Sequence, residues 1–410
     1  MTGTAGPPGA PHTPGTPRVL RAMNDRAALD LLLAHGPSSR TRIGELTGLS
    51  KPTASQLLAR LATAGLVVAT GTSEGRPGPG AQLYEVNPAA GYAAGLDVSP
   101  DRVLAAVADL TGRTVGRFTL PTSTRRPDRP VVRQVTDALD GALAAAGLAR
   151  AAVRRLVVGT PGAFDPTTGR LRYALHLPGW HTPGLLAEVA AALPMPVEYE
   201  NDVNLVAVAE QRLGAARGHG DFVLLWNEAG LGGALVLGGR LHRGWTGGAG
   251  EVGFLPVPGT PLVRQVTRAN SGGFQELAGA QALPGLAREL GVQDVPSGPC
   301  AEVAAQLVGR AAESGADGPH RRFLEAYATR LATGLASLVS VLDPELVVLS
   351  GACLTSGGEP LRALIQGELA ELAASRPRLV VGEVPEQPVL RGALESALAA
   401  TRDEVFDTSR

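Results

Sequence analysis

The rhythm of hydrophobic residues changes once, near Ala93, and that change limits the folds open to the chain. Before it, apolar residues recur at helical spacing in three short bursts: Val19–His35, TRIGELTG from Thr41, and a run from Lys51 to Ala64. After it, short strand-like runs alternate with helical stretches, and the strand runs end in polar or glycine-rich loops. This predicts a small helical head on a larger α/β body. Aromatics at 4%, with 53 Gly and 32 Pro, also argue against an aromatic-rich β-sandwich.

The head has clear punctuation. Gly36-Pro37 ends the first helix, Ser38 or Ser39 caps the second, and Gly48 stops it. Ser50 caps the third, with Pro52 in its first turn, where a missing N–H costs nothing. Leu66–Ala69 and Gln82–Val86 then read as strands around the loop TGTSEGRPGPG. Three short helices and a hairpin are the winged helix-turn-helix pattern. It occupies residues 18–90, behind a Pro/Gly/Thr-rich tail, 1–17, that is expected to be disordered.

On the third helix Ala54, Leu57, Leu58 and Leu61 follow the i, i+3, i+4, i+7 rule and face inward. Thr53, Gln56 and Arg60 lie opposite, with Lys51 and Ser55 nearby. These side chains suit base edges and phosphates. An ordinary solvated face has the same spacing; the short preceding helix and Arg76 at the hairpin tip decide for DNA. The formal net charge of −1 excludes a global basic field. Residues 1–90, however, carry eight Lys/Arg against five Asp/Glu, so a basic head sits on an acidic body.

In the body, 91–410, the spacing predicts strands at Ala94–Val98, Arg102–Asp109, Arg113–Thr119, Leu156–Gly159, Val197–Glu200, Phe222–Trp226, Gly233–Leu237 and Leu346–Leu349. Helices are expected at Asp128–Ala146 and Val203–Leu213, with a long helical region over Cys300–Val341. The stretches near 93–200 and 221–350 read as duplicated halves facing one cleft, and open α/β sheets bind ligands at the carboxyl ends of their strands. Cys300 and Cys353 are too few for a disulfide framework or a C-x-x-C metal motif. There is no membrane-length apolar run and no signal-peptide pattern, so a cytoplasmic protein is expected.

Together the head with GLSKPTASQLLARLATAGLV, the loop VVGTPGAFD, the segment LHLPGW, YENDVNLVAVAE and GGAGEVGF resemble the ROK family of repressors, open reading frames and sugar kinases. The resemblance covers nearly everything after residue 18. It implies two actin-like (ribonuclease H-like) α/β lobes with a sugar cleft between them, assembled as homodimers or homotetramers. It also implies sugar contacts at Gly162, Asn201, Asp202, Glu251 and Glu276, with Asp202 as general base where a member is a kinase. Carboxylates and amides read a ring of hydroxyls well. Read without the family, Asn201-Asp202 is an Asx cap on the next helix. His176, where members commonly carry Asn, is either a pocket residue or a surface histidine.

The departures from the family are informative. Its kinases cradle ATP phosphates with loops like D-x-G-G-T and G-T-G-x-G-G. Here the first is Asp97-Val98-Ser99-Pro100-Asp101 and the second Glu228-Ala229-Gly230-Leu231-Gly232-Gly233. Pro100 removes an N–H, Ala229 lacks a hydroxyl, and Asp101 and Glu228 bring negative charge. Each such carboxylate repels a phosphate charge by roughly 1 kcal/mol at about 4 Å even in water. Phe254 stands where the family has a zinc-binding histidine, and no cysteine lies between 255 and 299. Neither ATP nor zinc is therefore expected, and no cofactor. The wing reads GRPGPG, with Pro79 where members often have a second arginine.

The expectation is a sugar-responsive DNA-binding repressor without catalytic activity, with operator DNA and a neutral sugar as partners. A sugar phosphate would need Arg170 or Arg172 to offset the carboxylates. The alternative is an ATP-dependent, glucokinase-like sugar kinase that carries a DNA-binding head.

Overall fold

The computed structural model describes residues 17–73, 80–122, 129–165, 168–172, 177–264, 272–314 and 317–407. They group into two compact units. One holds the described chain as far as Tyr92, Asp109–Arg113 and the chain from Ala399; the other holds Ala93–Ala108 and Thr114–Leu398.

The first unit is α1 (Pro17–His35), β1 (Ser38–Ser39), α2 (Arg40–Thr47), α3 (Lys51–Thr63), β2 (Val67–Thr72) and β3 (Gln82–Val86). Ser39, of the two candidates, caps α2 by accepting from Arg42 N at 3.3 Å, and Gly48 ends it at φ 69°, where glycine alone is unstrained. Ser50 caps α3 through Thr53 N at 3.4 Å. The strands form one sheet in the order β1-β3-β2. Leu29, Leu32, Ile43, Leu57, Leu58 and Leu61 fill the core, together with Leu110 and Phe406 from distant parts of the sequence. Around Phe406, Arg26 donates to Asp403 at 2.8 Å and Arg402 donates to the Leu110 carbonyl at 3.0 Å. The Arg26 guanidinium lies 5.6 Å from the Phe406 ring centre.

The second unit begins with β4 (Tyr92–Val98), β5 (Arg102–Asp109), β6 (Thr114–Pro121), α4 (Val131–Ala146), β7 (Val153–Thr160), β8 (Ala163–Asp165), β9 (Arg170–Arg172), α5 (Leu185–Ala191), β10 (Val197–Asn201) and α6 (Asp202–Leu213). It continues with β11 (Phe222–Asn227), β12 (Leu231–Leu237), β13 (Arg240–Leu241), α7 (Gly273–Ala278), α8 (Leu283–Glu289), α9 (Cys300–Glu313) and α10 (Pro319–Leu342). It ends with β14 (Leu346–Ser350), α11 (Ala352–Thr355), α12 (Gly358–Leu372), β15 (Arg378–Val381) and α13 (Pro388–Val405), whose last turns belong to the first unit.

Two five-stranded sheets, β6-β5-β4-β7-β10 and β13-β12-β11-β14-β15, repeat one plan. In each, the first two strands pair antiparallel and the last two parallel. The duplication expected from the sequence is therefore visible in the pairing. α6 and α13 contribute Leu205, Val206, Val389, Leu390 and Ala393 to a core shared with strands of both sheets. Leu307, Phe323, Tyr327, Leu331 and Ile365 build a second core under α9, α10 and α12.

Two expectations need correction. Cys300–Val341 is not one helical region but α9 and α10, because Gly318-Pro319 breaks the run and Pro319 starts the second helix. The second half also extends beyond residue 350, to β15 and α13.

Candidate functional site

In the second unit, the ends of β7 and β10 build a polar corner. Asn201 closes β10 and caps α6: its Oδ1 accepts from Asn204 N at 3.1 Å, and its Nδ2 donates to the Gly162 carbonyl at 3.0 Å. The Asx-cap reading is thus realised, and the same bonds hold Gly162 beside Asn201. Asp202 is the first residue of α6, its Oδ1 accepting from Val203 N at 2.8 Å. Glu200 was not singled out from the sequence. It accepts from Asn201 N and from Asn204 Nδ2, both at 2.9 Å, and from Arg243 Nε at 2.5 Å. Its place within the ENDVN run was the available signal.

Glu251 comes from the other half. The preceding Gly250 sits at φ 94°, and a Cβ there would lie 2.2 Å from the Gly233 carbonyl oxygen, so only glycine lets this loop press onto β12. Glu276 stands exposed on α7, whereas Asp202 and Glu251 are half-buried. His176 lies outside the described residues, as does Arg76. Arg172 lies on β9 and pairs with buried Asp165 at 2.7 Å.

Burial raises the carboxyl of Asp202 to about 7, and the charges of Asp97, Glu251 and Glu228 push it the same way. Asp97 is raised to about 6 by burial, against the pull of Arg102. Glu228 and Glu251 are also raised, again chiefly by burial. These four carboxylates therefore form one electronegative group in which Arg102 acts on Asp97 and Glu228.

Polar groups of both loops that correspond to the kinase phosphate loops are engaged within the chain. Ser99 Oγ is spent on Asp101 at 2.7 Å, and Glu228 N on the Gly230 carbonyl at 3.1 Å. The charge of Glu228 also acts against ionisation of Asp97. Among the described residues no group of three or more His, Cys, Asp or Glu is arranged to hold a metal ion.

The raised carboxyls predict how stability depends on pH. Asp202 and Asp97 bind protons more tightly folded than unfolded, so their contribution is full below about pH 4 and is lost as pH rises through about 6 to 7. Thermal melting of the body is expected to fall between pH 5 and pH 8. Asp202→Asn should raise the pH 8 value by several degrees and flatten the slope. An unchanged slope in the variant would count against the carboxylate group.

In the first unit, α3 buries Ala54, Leu57, Leu58 and Leu61 and exposes Lys51, Thr53, Gln56 and Arg60, with Ser55 half-buried. Thr53 Oγ1 lies 2.8 Å from Ser50 Oγ. Arg60 is held 2.5 Å from Asp25, a buried α1 residue, so it braces α3 against α1. That link spans 35 residues and has no periodic signal in the sequence. An open groove of about 880 Å³ follows, lined by Arg18 and Arg21 of α1 and by Gln56 and Arg60 of α3.

Comparison with known proteins fits this division. The ROK family pattern matches residues 93–399, and the MarR family pattern matches residues 23–76. A xylose repressor from Caldicellulosiruptor bescii is 24% identical over 393 residues, which is 94% of this chain and 98% of the repressor. A ROK hexokinase from Thermus thermophilus is similar in structure, with a TM-score of 0.62 and 28% identity, over 76% of this chain and 99% of the hexokinase. A ROK family transcriptional regulator, a homologue of the E. coli MLC protein, shares the fold over 95% of this chain and 97% of its own, with a TM-score of 0.70 and 19% identity.

Proposed function

The chain belongs to the ROK family and carries a winged helix at its head, and from that premise we propose that it is a cytoplasmic, sugar-responsive repressor that binds operator DNA as a homodimer or homotetramer. The observation that carries the reading is α3: capped, packed on one face, and presenting Lys51, Thr53 and Gln56 to solvent on the other. Gln56 reads a base edge, and Lys51 meets phosphate. Arg18 and Arg21, which border the same groove, add to the phosphate contacts. Arg60 serves first as the brace between helices. Arg76 remains a proposed wing contact.

In the body, Asn201, Asp202, Glu251 and Gly162, with Glu276 and His176 completing the set, hold a neutral sugar. A ligand that favours one state of the body shifts the population of DNA-binding protein by its differential affinity. The sensor is catalytically inactive. The kinase reading has one observation in its favour, since a carboxyl raised to about 7 suits a general base. Against it stand the altered phosphate loops, where Glu228 and Asp97 place negative charge.

Selecting bound sequences from random DNA with the full-length protein, then releasing it with a sugar panel, tests the proposal. Gln56→Ala should relax preference at one base position, worth about 1–3 kcal/mol of discrimination. Lys51→Ala should weaken binding uniformly and lower the salt slope by about 1. Binding without any sequence preference would sink the regulator reading. ATP-dependent sugar turnover that disappears in Asp202→Ala would replace it with the kinase.

A further inference from the structure

Trp245 is 84% exposed, whereas Trp180 is 4% exposed. A single exposed apolar side chain is ordinary on a protein surface; the loop that carries this one is not. Arg243 at its start is tied to Glu200 at 2.5 Å, and Ala249 N returns to the Arg243 carbonyl at 3.1 Å. Gly244, Gly247 and Gly250 all have positive φ. A Cβ on Gly247 would lie 2.0 Å from the Phe164 carbonyl oxygen, so the loop presses backbone on backbone against β8.

These anchors place the indole. Trp245 is two residues from both Arg243 and Gly247, and a chain spans at most about 3.6 Å per residue, so its Cα lies within about 7 Å of each of their Cα atoms. Each anchor touches a residue near Asn201. Glu200 precedes it in sequence, and Phe164 follows Gly162, whose carbonyl Asn201 holds at 3.0 Å. The loop runs directly on to Glu251. A pinned loop therefore holds an exposed indole within two residues of anchors that touch Glu200 and Phe164, each one or two residues from the proposed sugar site, and among the described residues Trp245 makes no hydrogen bond or ring contact.

We propose that Trp245 is an outer platform of the ligand site and stacks on a second sugar ring, so that the effector is a saccharide of at least two rings. A sugar ring has a hydroxyl edge, which carboxylates and amides read, and a C–H face, which an aromatic ring covers. The ring that reaches Asp202 and Glu251 meets side chains that are themselves half-buried. An indole as exposed as Trp245 meets only what projects beyond that ring.

The inference rests on the sugar-site reading, and the test separates the two. Full-length protein is titrated by calorimetry with glucose, xylose and N-acetylglucosamine and with their β-1,4-linked dimers. A dimer should bind about tenfold more tightly than its monomer, the scale of covering part of an indole. Trp245→Ala should erase that gain and leave monomer binding unchanged, while Trp245→Phe should keep most of it. Iodide quenching of tryptophan fluorescence should be relieved by the dimer and not by the monomer. Equal affinity for monomers and dimers, or a dimer gain that survives Trp245→Ala, overturns the inference alone. If neither size binds, the sugar-site reading falls and takes the inference with it.

Discussion

Replacing Phe406 with alanine is expected to abolish operator binding, although the residue lies more than three hundred positions from the recognition helix. Phe406 is 1% exposed and belongs to the same core as Leu29, Leu57, Leu58 and Leu61, the residues that hold α3 in place. Removing a buried phenyl ring costs about 3–5 kcal/mol. Whole domains have only about 5–15 kcal/mol, and a unit this small sits near the bottom of that range. The check is a band shift at 37 °C together with limited proteolysis of the head. Sugar binding by the body should survive, and Phe406→Leu, which keeps most of the volume, should retain DNA binding. Unchanged affinity and protease resistance in Phe406→Ala would show that the head core does not depend on this ring.

The second large effect is expected at Asp202. A lost hydrogen bond between a buried charged group and a hydroxyl costs about 1.5–3 kcal/mol, so Asp202→Ala should weaken sugar binding by about tenfold to a hundredfold. Affinity for operator DNA without ligand should stay close to that of the parent, because Asp202 lies in the second unit and α3 in the first. The body should not unfold either, since the substitution removes a charge that its neighbours already repel. Calorimetry against the sugar panel and a band shift without sugar test both halves. A variant released by the inducing sugar as readily as the parent would remove Asp202 from the sensor.

Local chemistry was legible in the sequence. Ser50, Pro52 and Gly48 marked helix ends because capping depends on neighbours only a few residues away. The buried face of α3 followed from the 3.6-residue period, and Asn201-Asp202 stood out because a cap and a polar site use the same residue types. What escaped was set by partners far along the chain. Arg60 reads as a base contact until Asp25 is placed beside it. Glu200 gains its role from Arg243, and Phe406 from a core built by residues 28–86 and Leu110. β8, β9 and β13 span two or three residues each, too short for any period to show. The break between α9 and α10 was written in Gly318-Pro319 but masked by the apolar rhythm on either side.

The shared core of the head also orders events during synthesis. Helices α1 to α3 leave the ribosome first, with their caps and apolar faces complete, but the ring that fills their core is not translated until residue 406. Until then the nascent head is a recognition helix on an unfilled interior, with little hold on any operator. A transcript cut short or a stalled ribosome would therefore release chains that cannot compete for the regulator's sites. On the proposed function, operator binding would require translation at least as far as the residue that seals the head.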